Sequence, residues 1–137
     1  MTTTREIMTP NPRCIGENDS LRIAASVMAD LDVGALPICG EDGKLKGMLT
    51  DRDIVVKGIA MGRDPESTPA GALANGRPVT VSSDDDVRVA LDLMREHQVR
   101  RLPVIEDRLL VGIVSQADVA LTLSAAATGK TVEGISR

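Results

Sequence analysis

The sequence predicts an α+β protein, α/β-like in its crossovers, made of one small strand–helix–strand–strand–helix unit written twice. Three observations carry this. Gly47-Met48-Leu49-Thr50-Asp51-Arg52-Asp53 returns as Gly112-Ile113-Val114-Ser115-Gln116-Ala117-Asp118, with glycine, two apolar residues, a hydroxyl and a final aspartate in the same order. A Leu-Pro step precedes each copy, and the two prolines (Pro37, Pro103) stand 66 residues apart while the aspartates stand 65 apart. Such a period exceeds the roughly 20–50 residues of solenoid repeats, which points to a small domain duplicated in tandem. Hydrophobic spacing also switches between strand and helix in the same order in both copies.

The elements follow in order. Thr4 to Met8 is a short helical approach ended by Thr9-Pro10-Asn11-Pro12, because two close prolines disfavour helix and extend the chain. Arg13–Ile15 is a short strand. Asp19 or Ser20 caps the next helix through a short side-chain oxygen. Its apolar face is Leu21, Ala24, Ala25, Met28 and Leu31, and Gly34 stops it. Ala35–Cys39 and Leu45–Leu49 form a hairpin around the turn residues Gly40-Glu41-Asp42-Gly43. From Thr50 the spacing is helical again, with Ile54, Val55 and Ile59 apolar, to about Ala60.

Residues 1–61 make the first repeat, and 62–68, rich in glycine, charge and proline, the linker. The second repeat, 69–123, opens with an approach helix after Pro69. Val79–Val81 is its first strand, Ser83 or Asp84 the cap, and Val87, Ala90, Leu91 and Met94 the helix face. Leu102–Ile105 and Leu109–Val114 form the hairpin around Asp107-Arg108, Ser115–Leu123 is the last helix, and 124–137 is a flexible C-terminal tail. In each copy the first strand, helix and second strand form a right-handed parallel crossover, and the third strand adds antiparallel. Helices cover only one face of so small a sheet. The bare faces are expected to pack sheet to sheet with pseudo-twofold symmetry.

Composition narrows the function classes. At 137 residues the chain is long enough to bury a core. Aromatic residues are absent, which removes the usual stacking platform for single-stranded nucleic acid, and the net charge of −4 argues against a phosphate-backbone partner. No apolar run approaches membrane-spanning length and the start lacks a signal peptide's apolar centre, so no membrane partner and a cytoplasmic location are expected.

Gly34-Ala35-Leu36-Pro37-Ile38 with Gly47 to Asp53, and Val99-Arg100-Arg101-Leu102-Pro103-Val104 with Gly112 to Asp118, resemble the cystathionine-β-synthase (CBS) domain. Nearly the whole chain, roughly residues 1–123, resembles a stand-alone CBS pair, or Bateman module. More narrowly, the two cysteines and the segments Gly47–Lys57 and Glu96–Val104 are similar to the mycobacterial hypoxic response type of that family. The resemblance implies an adenosine-containing small molecule (AMP, ATP or S-adenosylmethionine) bound in clefts between the repeats, with occupancy passed to a partner.

Thr50-x-x-Asp53 and Ser115-x-x-Asp118 each open a helix straight out of a strand. One reading is a capping box, hydroxyl to a third-residue amide and carboxylate back to the cap amide. The other uses the same geometry for a ligand: a helix N-terminus presents amides to phosphate, and a carboxylate can accept both ribose hydroxyls. In the family the hydroxyl contacts phosphate and the aspartate contacts ribose. Arg100 and Arg101 stand beside the second motif where the first has Gly34 and Ala35, and a guanidinium fork suits phosphate. The alternative is a solvated pair facing Glu96 and Asp107. The Arg101–Ser115–Asp118 cleft is therefore the favoured nucleotide site. Arg52 is available to the first cleft unless it points to solvent. Adenine would lie between aliphatic side chains near Val79–Val81 or Arg13–Ile15.

Cys14 and Cys39 fall on neighbouring strands of the crossover, and cross-strand neighbours can lie within the roughly 4.4–6.8 Å Cα separation of a disulfide. Two buried thiols are the alternative in a reducing cytosol. The second repeat has Thr80 and Ile105 at these places, so the bond is expected as an optional staple of the first copy. His97 is the only histidine, and with two cysteines it does not assemble the roughly four ligands of a zinc site. Nothing resembles a nucleophile–base–orienter set, so catalysis is not expected. A homodimer is expected, since flanking helices leave apolar stripes for twofold pairing. The sequence thus supports two readings: a nucleotide-sensing pair, or a stress (hypoxia/dormancy)-response interaction protein with empty clefts that acts through its dimer surface.

Overall fold

The computed structural model describes residues 1–74 and 78–128. In chain order the elements are α1 (Thr4–Ile7), β1 (Thr9–Pro10), β2 (Ile15–Gly16), α2 (Leu21–Leu31), β3 (Ala35–Cys39), β4 (Leu45–Thr50), α3 (Asp51–Asp53, continued by a π-helical stretch Ile54–Ile59), a 3₁₀ turn (Ala70–Leu73), β5 (Val81–Ser82), α4 (Val87–His97), β6 (Arg101–Glu106), β7 (Leu109–Ser115) and α5 (Gln116–Thr128). They divide into two compact units, Pro12–Pro78, and Met1–Asn11 together with the chain from Val79 onward.

The Pro12–Pro78 unit holds a three-stranded sheet in the order β2-β3-β4, with β2 parallel to β3 and β3 antiparallel to β4. Its register shifts between Ile38 and Cys39. Ser20 caps α2, its side chain accepting from the Ile23 amide, while the Asp19 carboxylate accepts from the Gly16 amide at 2.8 Å. The helix ends at Asp32, which takes the left-handed conformation at φ 54°, two residues before Gly34. Asn, Asp and Gly tolerate that region best, so an aspartate serves where a glycine stop was expected. Leu21, Ala24, Val27 and Met28 are buried, whereas Ala25 and Leu31 face solvent. Ile15, Leu36, Ile38, Leu49, Ile54, Ala70 and Leu73 complete this core. The expected inward face of α3 is also corrected: Val55 is 59 % and Ile59 53 % exposed, and the stretch turns Ile54 and Gly58 inward. A Cβ at Gly58 would come within 2.9 Å of Leu21 Cδ1, so the close approach of two elements needs a glycine there, not an apolar side chain.

The other unit repeats the plan with one addition. Its sheet runs β1-β7-β6-β5, with β5 parallel to β6 and β7 antiparallel to β6. The register shift recurs between Val104 and Ile105, again 66 residues on. Here β1 adds an edge strand, pairing Thr9 with Ile113 and Pro10 with Gly112. Pro10 suits such an edge, where no ladder donor is required of it. Asp86, not Ser83 or Asp84, caps α4 by accepting from the Arg88 amide. Val87, Ala90 and Met94 face a core completed by Val81, Leu102, Val104, Val114 and Val119, with Leu91 packed at its margin. The last helix runs to Thr128, five residues into the expected tail; residues 129–137 lie outside the described residues. The strands Arg13–Ile15 and Val79–Val81 both start later than expected, at Ile15 and Val81.

The packing units and the sequence repeats are not the same segments. Each approach segment is seated in the unit of the other repeat, by the same backbone bonds 66 residues apart. Thr4 and Arg5 amides donate to the Asp85 and Ser83 carbonyls at 2.8 and 3.0 Å, and Ala70 and Gly71 amides to the Asp19 and Glu17 carbonyls at 2.7 and 2.8 Å. Val87 donates to the Thr2 carbonyl, and Leu21 to the Thr68 carbonyl, both at 3.0 Å.

Candidate functional site

Both hydroxyl–x–x–aspartate motifs sit where the last hairpin strand turns into a helix. In the Pro12–Pro78 unit, Ala35 pairs with Thr50, and the Asp51 amide donates to the Gly34 carbonyl at 2.9 Å. Thr50 is the cap. Its Oγ1 accepts from the Asp53 amide and Asp53 Oδ2 accepts from the Thr50 amide, both at 3.0 Å, which closes the capping box. The second carboxylate oxygen, Asp53 Oδ1, lies 3.3 Å from Lys57 Nζ one turn on. The Arg52 amide donates to Asp51 Oδ1 at 2.8 Å. Every amide of the first turn therefore has an acceptor, and both oxygens of Asp53 are engaged. The Arg52 side chain is exposed and has no ion-pair partner among the described residues.

The second motif begins in the same way. Arg101 pairs with Ser115, the Gln116 amide donates to the Arg100 carbonyl at 2.7 Å, and Ser115 Oγ accepts from the Asp118 amide at 3.1 Å. There the likeness stops. Gln116 replaces Asp51, and the Ala117 amide has no acceptor among the described residues. Thr122 replaces Lys57 and turns its hydroxyl to the Asp118 carbonyl at 2.9 Å, so the half-buried Asp118 carboxylate has neither a hydrogen bond nor an ion pair among those residues. Arg100 and Arg101 are exposed and likewise unpaired there, Glu96 and Asp107 included. One motif has thus used its donors and acceptors internally, and the other keeps an open amide, an open carboxylate and two free guanidinium groups.

Val79 is half-buried against the core of the same unit, where it supplies aliphatic wall and no polar contact. A cavity of about 380 Å³ in this unit lies elsewhere, at the carboxyl ends of β5 and β6, among Ser82, Ser83, Asp84, Glu106 and Asp107. Arg101 and Ser115 mark the amino end of β6. Cys14 and Cys39 are joined in a disulfide with Cα atoms 5.8 Å apart, beside the Gly16–Cys39 strand pair. Sequence reasoning missed Lys57 and Asp51 as internal occupants of the first motif. The spacing of four between Asp53 and Lys57 on a helix was the available signal.

Among the described residues no helix is long and apolar enough to cross a membrane. The CBS domain profile matches residues 5–59 and 70–125. Hypoxic response protein 1 of Mycobacterium tuberculosis is 52 % identical over 120 residues, 88 % of this chain and 84 % of that protein. A crystal structure of Hypoxic Response Protein I with two coordinated zinc ions is similar with a TM-score of 0.82 and 51 % identity, covering 87 % of this chain and 97 % of that one. CBS domain protein PAE2072 from Pyrobaculum aerophilum, complexed with AMP, is similar with a TM-score of 0.80 and 28 % identity, covering 92 % and 99 %. Among the described residues of the present chain, no three His, Cys, Asp or Glu side chains are grouped to hold a metal ion.

Proposed function

The chain belongs to the CBS domain family, with two such domains in tandem, and we propose that it is a non-catalytic regulatory module that binds an adenine nucleotide at its second motif. The observation that carries this is the open carboxylate of Asp118 against the closed one of Asp53. A ribose diol needs an acceptor with free lone pairs, and a phosphate needs donors that are not already spent. Asp118 supplies the first; the Ala117 amide, the N-terminus of α5 and Arg101 supply the second.

Charge-assisted bonds of this kind contribute about 1.5–3 kcal/mol each. To offer the same contacts, Asp53 would first give up a cap bond of about 1 kcal/mol and an exposed ion pair of about 0.3–0.5 kcal/mol. That handicap is roughly a factor of ten in affinity, before the missing arginines are counted. The AMP complex of PAE2072 supports an adenine nucleotide as the ligand class.

The test uses the chain's composition. With no Trp, Tyr or Phe, the protein is nearly transparent at 280 nm, so nucleotide carried through purification appears as a band near 260 nm. Calorimetry with AMP, ATP and S-adenosylmethionine then reads affinity directly. Arg101→Ala is expected to weaken AMP and ATP about tenfold, the value of one charge-assisted bond. No 260 nm band and no heat with any of the three would overturn the reading.

A second reading is favoured by one observation. Val55, Val56, Ile59 and Met61 are all exposed on a single stretch of the Pro12–Pro78 unit, which suits an interface with a second copy of the chain. On that reading the protein is a homodimer acting through its surface, and sedimentation would give a dimer that Ile59→Glu dissociates.

A further inference from the structure

We propose that the Cys14–Cys39 disulfide is a reversible redox site that locks residues 68–73 into the Pro12–Pro78 unit. The inference does not depend on nucleotide binding. It comes from comparing the two seats that receive the approach segments.

Their backbone bonds are the same, but their side-chain ties differ. In the seat that receives residues 2–5, Arg5 reaches Ser83 Oγ at 2.9 Å and Asp84 at 2.9 Å and also pairs with Glu106. Ser83 Oγ donates to Glu106 at 2.8 Å, and the buried Thr4 hydroxyl donates to the Asp85 carbonyl at 2.8 Å. That turn is tied to its neighbouring strand by charge.

In the seat that receives residues 68–71 these ties are missing. Ala70 stands in place of Thr4 and carries no hydroxyl. Gly71 stands in place of Arg5, and a Cβ there would lie 3.0 Å from the Glu17 carbonyl oxygen and 3.2 Å from Glu17 Cβ. The Gly16–Asp19 turn provides the two acceptor carbonyls, Glu17 and Asp19. Besides its pairing of two residues with β3, it is held by the Glu17 amide on the Cys39 carbonyl at 3.3 Å. The disulfide ties Cys14, two residues before that turn, to the same strand. It stands beside the place of the ionic clamp, whose Ser83, Asp84 and Glu106 correspond to Glu17, Asn18 and Gly40, and the clamped unit has Thr80 and Ile105 where the cysteines stand.

Both cysteines are half-buried, within reach of a small dithiol. Exchange is balanced with such a reductant alone. A reductant thiolate attacks one sulfur, a mixed disulfide forms, and the other cysteine leaves as thiolate and is protonated. The second reductant thiol then closes its own disulfide and frees the remaining cysteine, so two electrons pass from dithiol to cystine. Once the bond is open, the Gly16–Asp19 turn can leave β3 and take the acceptors of Ala70 and Gly71 with it.

The experiment is amide hydrogen exchange on the full chain, oxidised and after dithiothreitol, following peptides that cover 66–74 and 1–8. Reduction is expected to speed exchange of the Ala70 and Gly71 amides about tenfold or more and to leave those of Thr4 and Arg5 within about twofold. Molar salt is expected to speed exchange of the Thr4 and Arg5 amides, because it screens the exposed Arg5 pairs. Cys14→Ala/Cys39→Ala, checked by far-UV circular dichroism for retained structure, is expected to match the reduced protein. Two free thiols in the purified protein, no change in 66–74, an equal change in both segments, or loss of structure on reduction would each overturn the proposal.

Discussion

Replacing Cys14 and Cys39 together by alanine removes a covalent loop closure and leaves no polar atom to satisfy. The cysteines are 25 residues apart in sequence. In the chain-entropy treatment, cross-linking a loop of that size removes about 12 cal/mol/K from the unfolded ensemble, or about 3.5 kcal/mol at 25 °C. That is a large share of the 5–15 kcal/mol by which domains are stable, yet it leaves the chain folded at room temperature. Urea unfolding followed by far-UV circular dichroism is the suitable assay, since the chain has no aromatic residue to report by fluorescence. The midpoint should fall while the slope changes little. With an unfolding entropy near 2.1 cal/mol/K per residue, the loss corresponds to roughly 12 °C in Tm for cooperative unfolding of the whole chain. A loss below about 1 kcal/mol would refute the reasoning, because the loop would then be closed at no cost by other contacts.

Three further outcomes are expected. Gly112→Ala drives a Cβ into Met8 Sδ and places it 3.0 Å from the Thr9 carbonyl oxygen, so it should cost about 1–3 kcal/mol in urea unfolding, by pushing β1 off β7. The Arg5 guanidinium, then the Ser83 hydroxyl, holds the Glu106 carboxyl below the usual glutamate range. A depressed folded pKa gives stability that is present above the unfolded value and lost as pH falls through the folded one. The urea-midpoint gap between wild type and Glu106→Gln should therefore be full at pH 6 and close as pH drops below about 4.3. Thr50→Ala and Ser115→Ala should each cost about 1 kcal/mol as lost caps, while calorimetry shows weaker nucleotide binding only for Ser115→Ala.

The duplication and its element order were legible because an offset of 66, falling to 65 after the hairpin turn, repeats most of the hydrophobic signals. The same offset would have placed the α4 cap at Asp86, opposite Ser20. Two serines and three aspartates in a row at Ser82–Asp86 offered too many competing caps for local rules to choose among. The exchange of approach segments left no trace in residue type, because its bonds run between backbone groups and Thr4 and Arg5 share no side-chain chemistry with Ala70 and Gly71. The face of α3 misled for a physical reason: contact with Leu21 demanded the smallest residue, Gly58, and hydropathy gives glycine no weight. At the site, the paired motifs were plain in sequence but their inequality was not. It rests on Asp51, Lys57, Gln116 and Thr122, each of which reads alone as an ordinary helix-surface residue.

Calorimetric titration of the full chain with AMP, run beside Asp118→Asn and Asp53→Asn, tests the inequality of the two motifs most directly. The account predicts one nucleotide per chain, abolished or weakened at least tenfold by Asp118→Asn and unchanged by Asp53→Asn. Equal loss from both substitutions, or binding that survives Asp118→Asn, would contradict it.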